Sequence, residues 1–229
     1  MKRQNYVIKK SDVLSGSSLL KRKDDNSDRV SYMVSNIKDN KALNFYINKY
    51  PKKDKSFLTK KITKEYIKYR DNWNDQPSKI ISKRIPTKKY KEKNISPLCL
   101  DIETAAICDL ACPFCFREFT ATPDKIIDEK ICYELIDQAA SLNIPSIKFN
   151  WRGEPLLHPK LPEFISYAKS KGILETIINT NATNLKGKLA KKLIESGLDF
   201  IIYSFDGGTK KTYEKMRPGR FKKNFYEET

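Results

Sequence analysis

Cys108, Cys112 and Cys115 form a Cys-x3-Cys-x2-Cys array in the run Cys108-Asp109-Leu110-Ala111-Cys112-Pro113-Phe114-Cys115. With five cysteines in 229 residues, chance produces that spacing with a frequency of roughly 0.002. Three thiolates on so short a loop can converge on one metal centre, and soft sulfur ligands select zinc, copper(I) or an iron–sulfur cluster. Structural zinc wants a fourth ligand, and the one histidine of the chain, His158, lies far downstream. Three ligands with one position open describe a centre built to bind a substrate, with structural zinc and a chance core cluster as the alternatives. Cys99 and Cys132 read as ordinary buried small residues.

The elements that must position this loop alternate in type. Leu98 to Ile102 reads as a strand, and Lys125 to Leu142 as a helix with Ile127, Ile131, Leu135 and Ile136 inward. A strand is expected at 147–151, then a helix at about 160–171 stopped by Gly172. A strand at 174–178, a helix at 185–196 stopped by Gly197 and a strand at 200–205 complete the pattern. Strands alternating with helices of this length predict βα units around a parallel sheet. Ligands bind such sheets at the carboxyl ends of the strands, where the cysteine array lies. The loop after the second strand is Trp151-Arg152-Gly153-Glu154-Pro155-Leu156-Leu157-His158-Pro159, in which His158 reads as a helix-start residue rather than a proton donor. The third strand ends in Asn179-Thr180-Asn181 and the fourth in Ser204-Phe205-Asp206-Gly207, with Arg217 beyond. Taken alone, these read as polar residues at loop starts.

Together these motifs resemble the radical S-adenosylmethionine (radical SAM) superfamily, whose hallmark is this array after the first strand of a partial βα barrel. The resemblance implies a 4Fe–4S cluster held by Cys108, Cys112 and Cys115, its fourth iron chelated by the amino and carboxylate groups of S-adenosylmethionine (SAM). Phe114 matches the aromatic residue that lies beside the cofactor. Gly153-Glu154-Pro155 resembles the Gly-Gly-Glu-Pro motif whose backbone binds the methionine amino group, with Arg152 in place of the first glycine. Asn179, Asn181, Ser204, Asp206 and Arg217 resemble positions that hold the ribose hydroxyls and the methionine carboxylate. The implied activity is reductive cleavage of SAM to a 5'-deoxyadenosyl radical that abstracts hydrogen from a substrate, driven by a reductant such as flavodoxin or ferredoxin. The phrase SFDGGTKKTYEKMRPGRF looks most like members that carry a cysteine-rich SPASM extension, which this chain lacks.

The expected fold is therefore α/β, a partial, incomplete TIM-like barrel of about four βα units over residues 98–229, where the family usually has six. Such a chain reads as a truncated product, a decayed paralogue or half of a split enzyme whose barrel a second chain completes. A catalytically inactive cluster- or SAM-binding module is the rival function.

Residues 1–97 differ in kind. They hold 26 Lys+Arg against 10 Asp+Glu, whereas residues 98–229 hold 19 against 18, so nearly all of the +17 net charge precedes the core. Solvated lysines are the plain reading of that excess. A cationic arm steering RNA to a modifying enzyme is the weaker alternative, because arginine, which phosphate recognition prefers, is scarce there. Residues 1–30 are too polar for a fixed fold. Leu58, Ile62, Tyr66, Tyr69 and Trp73 recur on one face of a helix over 57–73, ended by Asn74-Asp75-Gln76-Pro77, and a linker follows at 77–97. Apolar runs fall far short of the roughly 18 residues that span a bilayer. A basic start without an apolar stretch argues against a cleaved signal peptide. Cysteines without an export signal point to the reducing cytoplasm and exclude a disulfide scaffold.

Overall fold

A computed structural model describes residues 55–93, 95–120 and 123–220. The expectation for residues 1–30 lies outside them. Helix α1 (Lys55–Ser82) precedes four βα units: β1 (Cys99–Asp101), α2 (Glu129–Ser141), β2 (Ser146–Lys148), α3 (Leu161–Ser170), β3 (Glu175–Thr180), α4 (Gly187–Glu195), β4 (Phe200–Tyr203) and α5 (Lys210–Met216). The sheet has the order β1-β2-β3-β4 with every pair parallel. This is the expected α/β architecture, an incomplete βα barrel.

Strand geometry sends alternate residues to opposite faces. Leu100, Ile147, Phe149, Ile178 and Ile201 pack with Ile136, Leu161, Phe164, Ile165 and Leu193 of the helices into one core. The intervening residues form the opposite face, where Asp101, Lys148, Ile177 and Phe200 lie in one register row. Helices α3 and α4 stop at Gly172 and Gly197, both at positive φ, as their sequence predicts.

The structure corrects the expected start of α2 and one of its inward positions. Asp128 caps the helix, its Oδ1 accepting from the amides of Lys130 at 2.9 Å and Ile131 at 3.2 Å, so the helix begins at Glu129. Lys125 to Ile127 instead pair with the chain leaving β1, through Ala106 N–H to Lys125 O at 2.8 Å and Ile127 N–H to Thr104 O at 2.9 Å. Cys132, Ile136 and Ala139 are buried, Ile127 and Leu135 pack against the core as expected, and only Ile131 departs, being 51% exposed. Strand β2 is likewise shorter and earlier than expected, because residues 149–153 turn into the loop above it.

Helix α1 runs through Pro77 rather than ending there, and six residues assigned to the linker are helical. A proline forfeits one amide hydrogen bond, yet the turns beyond it are held in other ways. Gln76 Nε2 donates to Ser96 O at 2.9 Å, and Ile85 N–H reaches back to Ile80 O at 3.1 Å. The face bearing Ile62, Tyr66 and Tyr69 is buried. The two phenols donate to the carboxylate of buried Glu175, each at 2.7 Å, at the amino end of β3. Arg70 Nη1 lies 3.9 Å from the same carboxylate. Burial beside that charge raises both phenols well above the ordinary tyrosine range.

Replacing Tyr66 with Phe removes one of these donors and leaves a buried carboxylate oxygen short of a partner. Urea unfolding of Tyr66→Phe should show a loss of about 1–3 kcal/mol. Ile67→Ala, on the exposed side of the same helix, should cost far less, within about 0.5 kcal/mol. Equal losses would mean that α1 is not docked through Glu175.

Candidate functional site

The three cysteines lie in the loop between β1 and α2, at the carboxyl end of the sheet, and all three thiols are free. Cys112 is buried, while Cys108 and Cys115 are half-buried. Little regular structure holds this loop, so its shape comes from side chains distant in sequence. The Asp109 carboxylate accepts from Asn181 Nδ2 at 2.8 Å, from Asn184 Nδ2 at 3.0 Å and from the Thr183 hydroxyl, binding the loop to the end of β3. A strap formed by residues 217–220 lies against it, with Leu110 and Gly219 in an antiparallel bridge and Ala111 N–H donating to Pro218 O at 2.8 Å. Arg220 donates to Cys108 O at 3.2 Å and Leu110 O at 3.3 Å, and Glu118 secures its guanidinium at 2.5 Å. Arg117 holds the entry by donating to Ala106 O at 2.6 Å.

The turn after β2 is built against the same loop. Gly153 has φ +44, and a Cβ there would sit 2.0 Å from Ala105 O and 2.7 Å from Ile107 O, so only glycine fits. Glu154 N–H donates to Ile107 O at 2.8 Å, just ahead of Cys108. The Glu154 side chain turns away from solvent and accepts from Leu156 N–H at 3.1 Å, Thr180 Oγ1 at 2.6 Å and Asn181 N–H at 2.8 Å. Its carboxylate is thus a tie between two loops. Pro155 is buried at the start of a short 3-10 turn, Pro155–Leu157. Arg152 meets Glu103 in a fork, with Nε and Nη2 each 2.8 Å from a carboxylate oxygen, and its guanidinium stacks 4.6 Å over Trp151. His158 is buried between Ile127 O at 3.2 Å and the amide of Lys160 at 3.1 Å, which fits a helix-start residue.

The remaining expected residues divide between the ends of β3 and β4. Asn181 is buried and committed internally, to Asp109 through Nδ2 and to Thr183 through Oδ1, with Cys108 Sγ 3.8 Å away. Asn179 N–H donates to Asn150 Oδ1 at 2.8 Å, and the Asn179 Oδ1 atom is buried with no hydrogen-bond partner. Ser204 is half-buried, its amide on Thr180 O at 2.8 Å. Asp206 Oδ2 receives Arg217 through Nε at 2.7 Å and Nη2 at 2.5 Å, and the guanidinium lies 5.9 Å from the exposed Phe114 ring. The structure therefore gathers Phe114, Asp206 and Arg217 on one side of the cysteine loop and Glu154 and Asn181 on the other. Sequence reading missed Asp109, Arg220, Thr183 and Asn184, although an acid inside the array and the polar run Ala182-Thr183-Asn184 after β3 were visible.

Burial pushes the Cys108 thiol up to about 12 and raises Cys112, where the Arg217 charge acts in the opposite direction. Binding a metal there must release thiol protons. Among the described residues, no three His, Cys, Asp or Glu side chains close around a single ion. The buried, unpartnered Asn179 Oδ1 is the observation here that fits a bound ligand, since a buried acceptor calls for an N–H or O–H donor.

Burial outweighs the three hydrogen bonds of Glu154 and pushes its carboxyl up to about 7 from an ordinary 4.5. Folding therefore takes up a proton between those values, and the stability present below pH 4.5 falls as pH rises towards 7. Urea titrations of the cluster-free chain across that window should show the decline. Glu154→Gln, which cannot titrate, should lack it, and an unchanged slope in the variant would assign the effect elsewhere.

Comparison with known proteins bears on the whole arrangement. The chain matches the Radical SAM superfamily over residues 102–227, more than half of its length. It is 36% identical over 114 residues to the Fe-coproporphyrin III synthase of Methanosarcina barkeri, covering 48% of this chain and 27% of that protein. It is 35% identical over 106 residues to the GTP 3',8-cyclase of Chlorobaculum tepidum, covering 46% of this chain and 32% of the cyclase. The chain thus spans about a third or less of these curated relatives. Among solved structures, anSMEcpe with bound AdoMet is similar with a TM-score of 0.49 and 23% identity, covering 58% of this chain and 38% of that one. With its cysteine array at the carboxyl end of a parallel βα sheet and a family match across the core, the chain belongs to the radical SAM superfamily, a family of enzymes that use a 4Fe–4S cluster and SAM.

Proposed function

We propose that this chain is a radical SAM enzyme in which Cys108, Cys112 and Cys115 hold the cluster. When bound, the cluster and SAM supply reductive cleavage of the sulfonium to methionine and a 5'-deoxyadenosyl radical, which takes hydrogen from a substrate. The protein holds and orients these groups. The backbone of Gly153-Glu154-Pro155, locked to the cysteine loop through Ile107 O, faces the methionine amino group. Arg217 has two nitrogens fixed by Asp206, which leaves its other terminal nitrogen to meet the methionine carboxylate. Asn179 Oδ1, lacking a partner, accepts from a ribose hydroxyl, and the Ser204 hydroxyl serves the same side. Phe114 lies against the cofactor and helps to shed water from it. Asn181 acts through its bond to Asp109, as a positioning residue.

The observation that carries this reading is the set of three free thiols on one strapped loop at the carboxyl end of the sheet. The reaction needs an electron donor, and a flavodoxin or ferredoxin is the proposed one. No helix among the described residues is long and apolar enough to cross a membrane, and a cytoplasmic setting suits an oxygen-sensitive cluster. Residues 98–229 are the proposed catalytic core, with residues 1–97 as its appended segment.

Anaerobic reconstitution should load about four irons and four sulfides per chain. Cys112→Ala should abolish loading, whereas Cys132→Ala, at a fully buried core position, should retain it. Reduction in the presence of SAM should then release 5'-deoxyadenosine. Equal loss of iron from both variants would defeat the ligand assignment, and a loaded cluster that yields no 5'-deoxyadenosine would make the chain a binding module instead of an enzyme.

A further inference from the structure

At the far end of α1 a groove of about 620 Å³ opens between its last turns and the returning residues Ile85, Pro86, Lys89, Lys93 and Ile95. Lys79, Lys83, Arg84, Lys89 and Lys93 line it, and no acidic residue does. Only Lys79 has a carboxylate partner among the described residues, Asp75 at 3.2 Å. Gathering five like charges around one concavity is unfavourable unless an anion or mobile counter-ions answer them. The helix ends here in a Schellman turn, with Ile85 N–H on Ile80 O and Arg84 N–H on Ile81 O, both at 3.1 Å. Such turns prefer glycine at the left-handed position, yet Arg84 occupies it at φ 46. The strained residue carries a charge to the lip of the groove, and the same turn brings Ile80 and Ile85 together along its floor.

We propose that this groove docks an acidic segment of a partner protein that carries aliphatic side chains among its carboxylates. The rim supplies the positive charge and the floor supplies aliphatic contact. A polynucleotide fits less well, for two reasons. Bases bind single-stranded sites by stacking on aromatic rings, and no aromatic residue lines the groove. Four of the five cations are lysines, which act as point charges rather than as the planar forks that grip phosphate. The groove lies on the side of the chain that leads into the amino end of β1, so a docked segment leaves the cysteine loop open. The proposal does not rest on the chemistry of that loop.

Fluorescence anisotropy with the full 229-residue chain tests it. The probes are a labelled peptide of repeated Glu-Glu-Leu units, the same peptide with Ser for Leu, and an oligouridylate of matching charge. Lys83→Glu/Arg84→Glu/Lys89→Glu is compared with Lys188→Glu/Lys192→Glu/Lys211→Glu, a reversal of the same net charge at exposed positions elsewhere. The leucine peptide should bind at least about fivefold more tightly than the serine peptide, the groove variant should weaken it at least about tenfold, and the control less than about twofold. Lys83→Ala/Lys89→Ala, which leaves the Arg84 turn intact, should weaken it about fivefold and covers the case of a groove variant that fails to fold. Absence of peptide binding, equal losses in the groove and control variants, or tighter binding of the oligouridylate through the same residues would each overturn the proposal.

Discussion

A loop that lacks regular secondary structure must find partners for its amides and carbonyls once it is buried, and the cysteine loop finds them in residues far along the chain. The ends of β2 and β3 and the segment after α5 each donate to or accept from it. Asp109 is the centre of this arrangement, because one carboxylate accepts from three side chains of the loop after β3. An acceptor held by several donors is fixed in place as well as stabilised. Three thiols proposed to meet one cofactor would require that rigidity, since displacements of an ångström at a reacting centre are costly.

At the amino end of the sheet, buried charges are gathered into clusters. Glu175 meets two phenols and lies near a guanidinium, and Lys169 donates to Asp199 and Leu174 O, each at 3.0 Å. Such clusters cost desolvation and return it only through complete pairing. At the carboxyl end Asn179 Oδ1 is buried without a partner and Phe114 stands exposed. Both are groups that the proposed cofactor would cover.

Arg152 shows how the fold absorbs a departure from the commoner motif. A side chain replaces the first glycine of the turn, but Glu103 at the end of β1 receives it as a planar fork and Trp151 covers it. Gly153 could not be replaced in this way. Its missing Cβ is occupied by carbonyl oxygens of the cysteine loop, which no rotamer can move.

The cysteine array, the βα alternation and the glycine stops at 172 and 197 were legible in the sequence, because each is a local signal of spacing, period or backbone preference. The candidate ligands and the Gly153-Glu154-Pro155 turn were legible for the same reason. The start of α2 and the outward turn of Ile131 were not, since they depend on where Asp128 caps the helix and how Ile127 pairs with Thr104 O. The passage of α1 through Pro77 was hidden too, because the contacts that hold its last turns lie downstream in the return loop. Glu154 and Asn181 were singled out as candidate site residues, but their use as ties was not foreseen, and Arg220 was missed, lying 112 residues from the carbonyl of Cys108 that it holds. The sequence by itself determined which residue types and local elements were present. Only the tertiary structure decided which of them meet, because contacts across a hundred residues follow from packing a sheet and its loops together and leave no periodic trace in the chain.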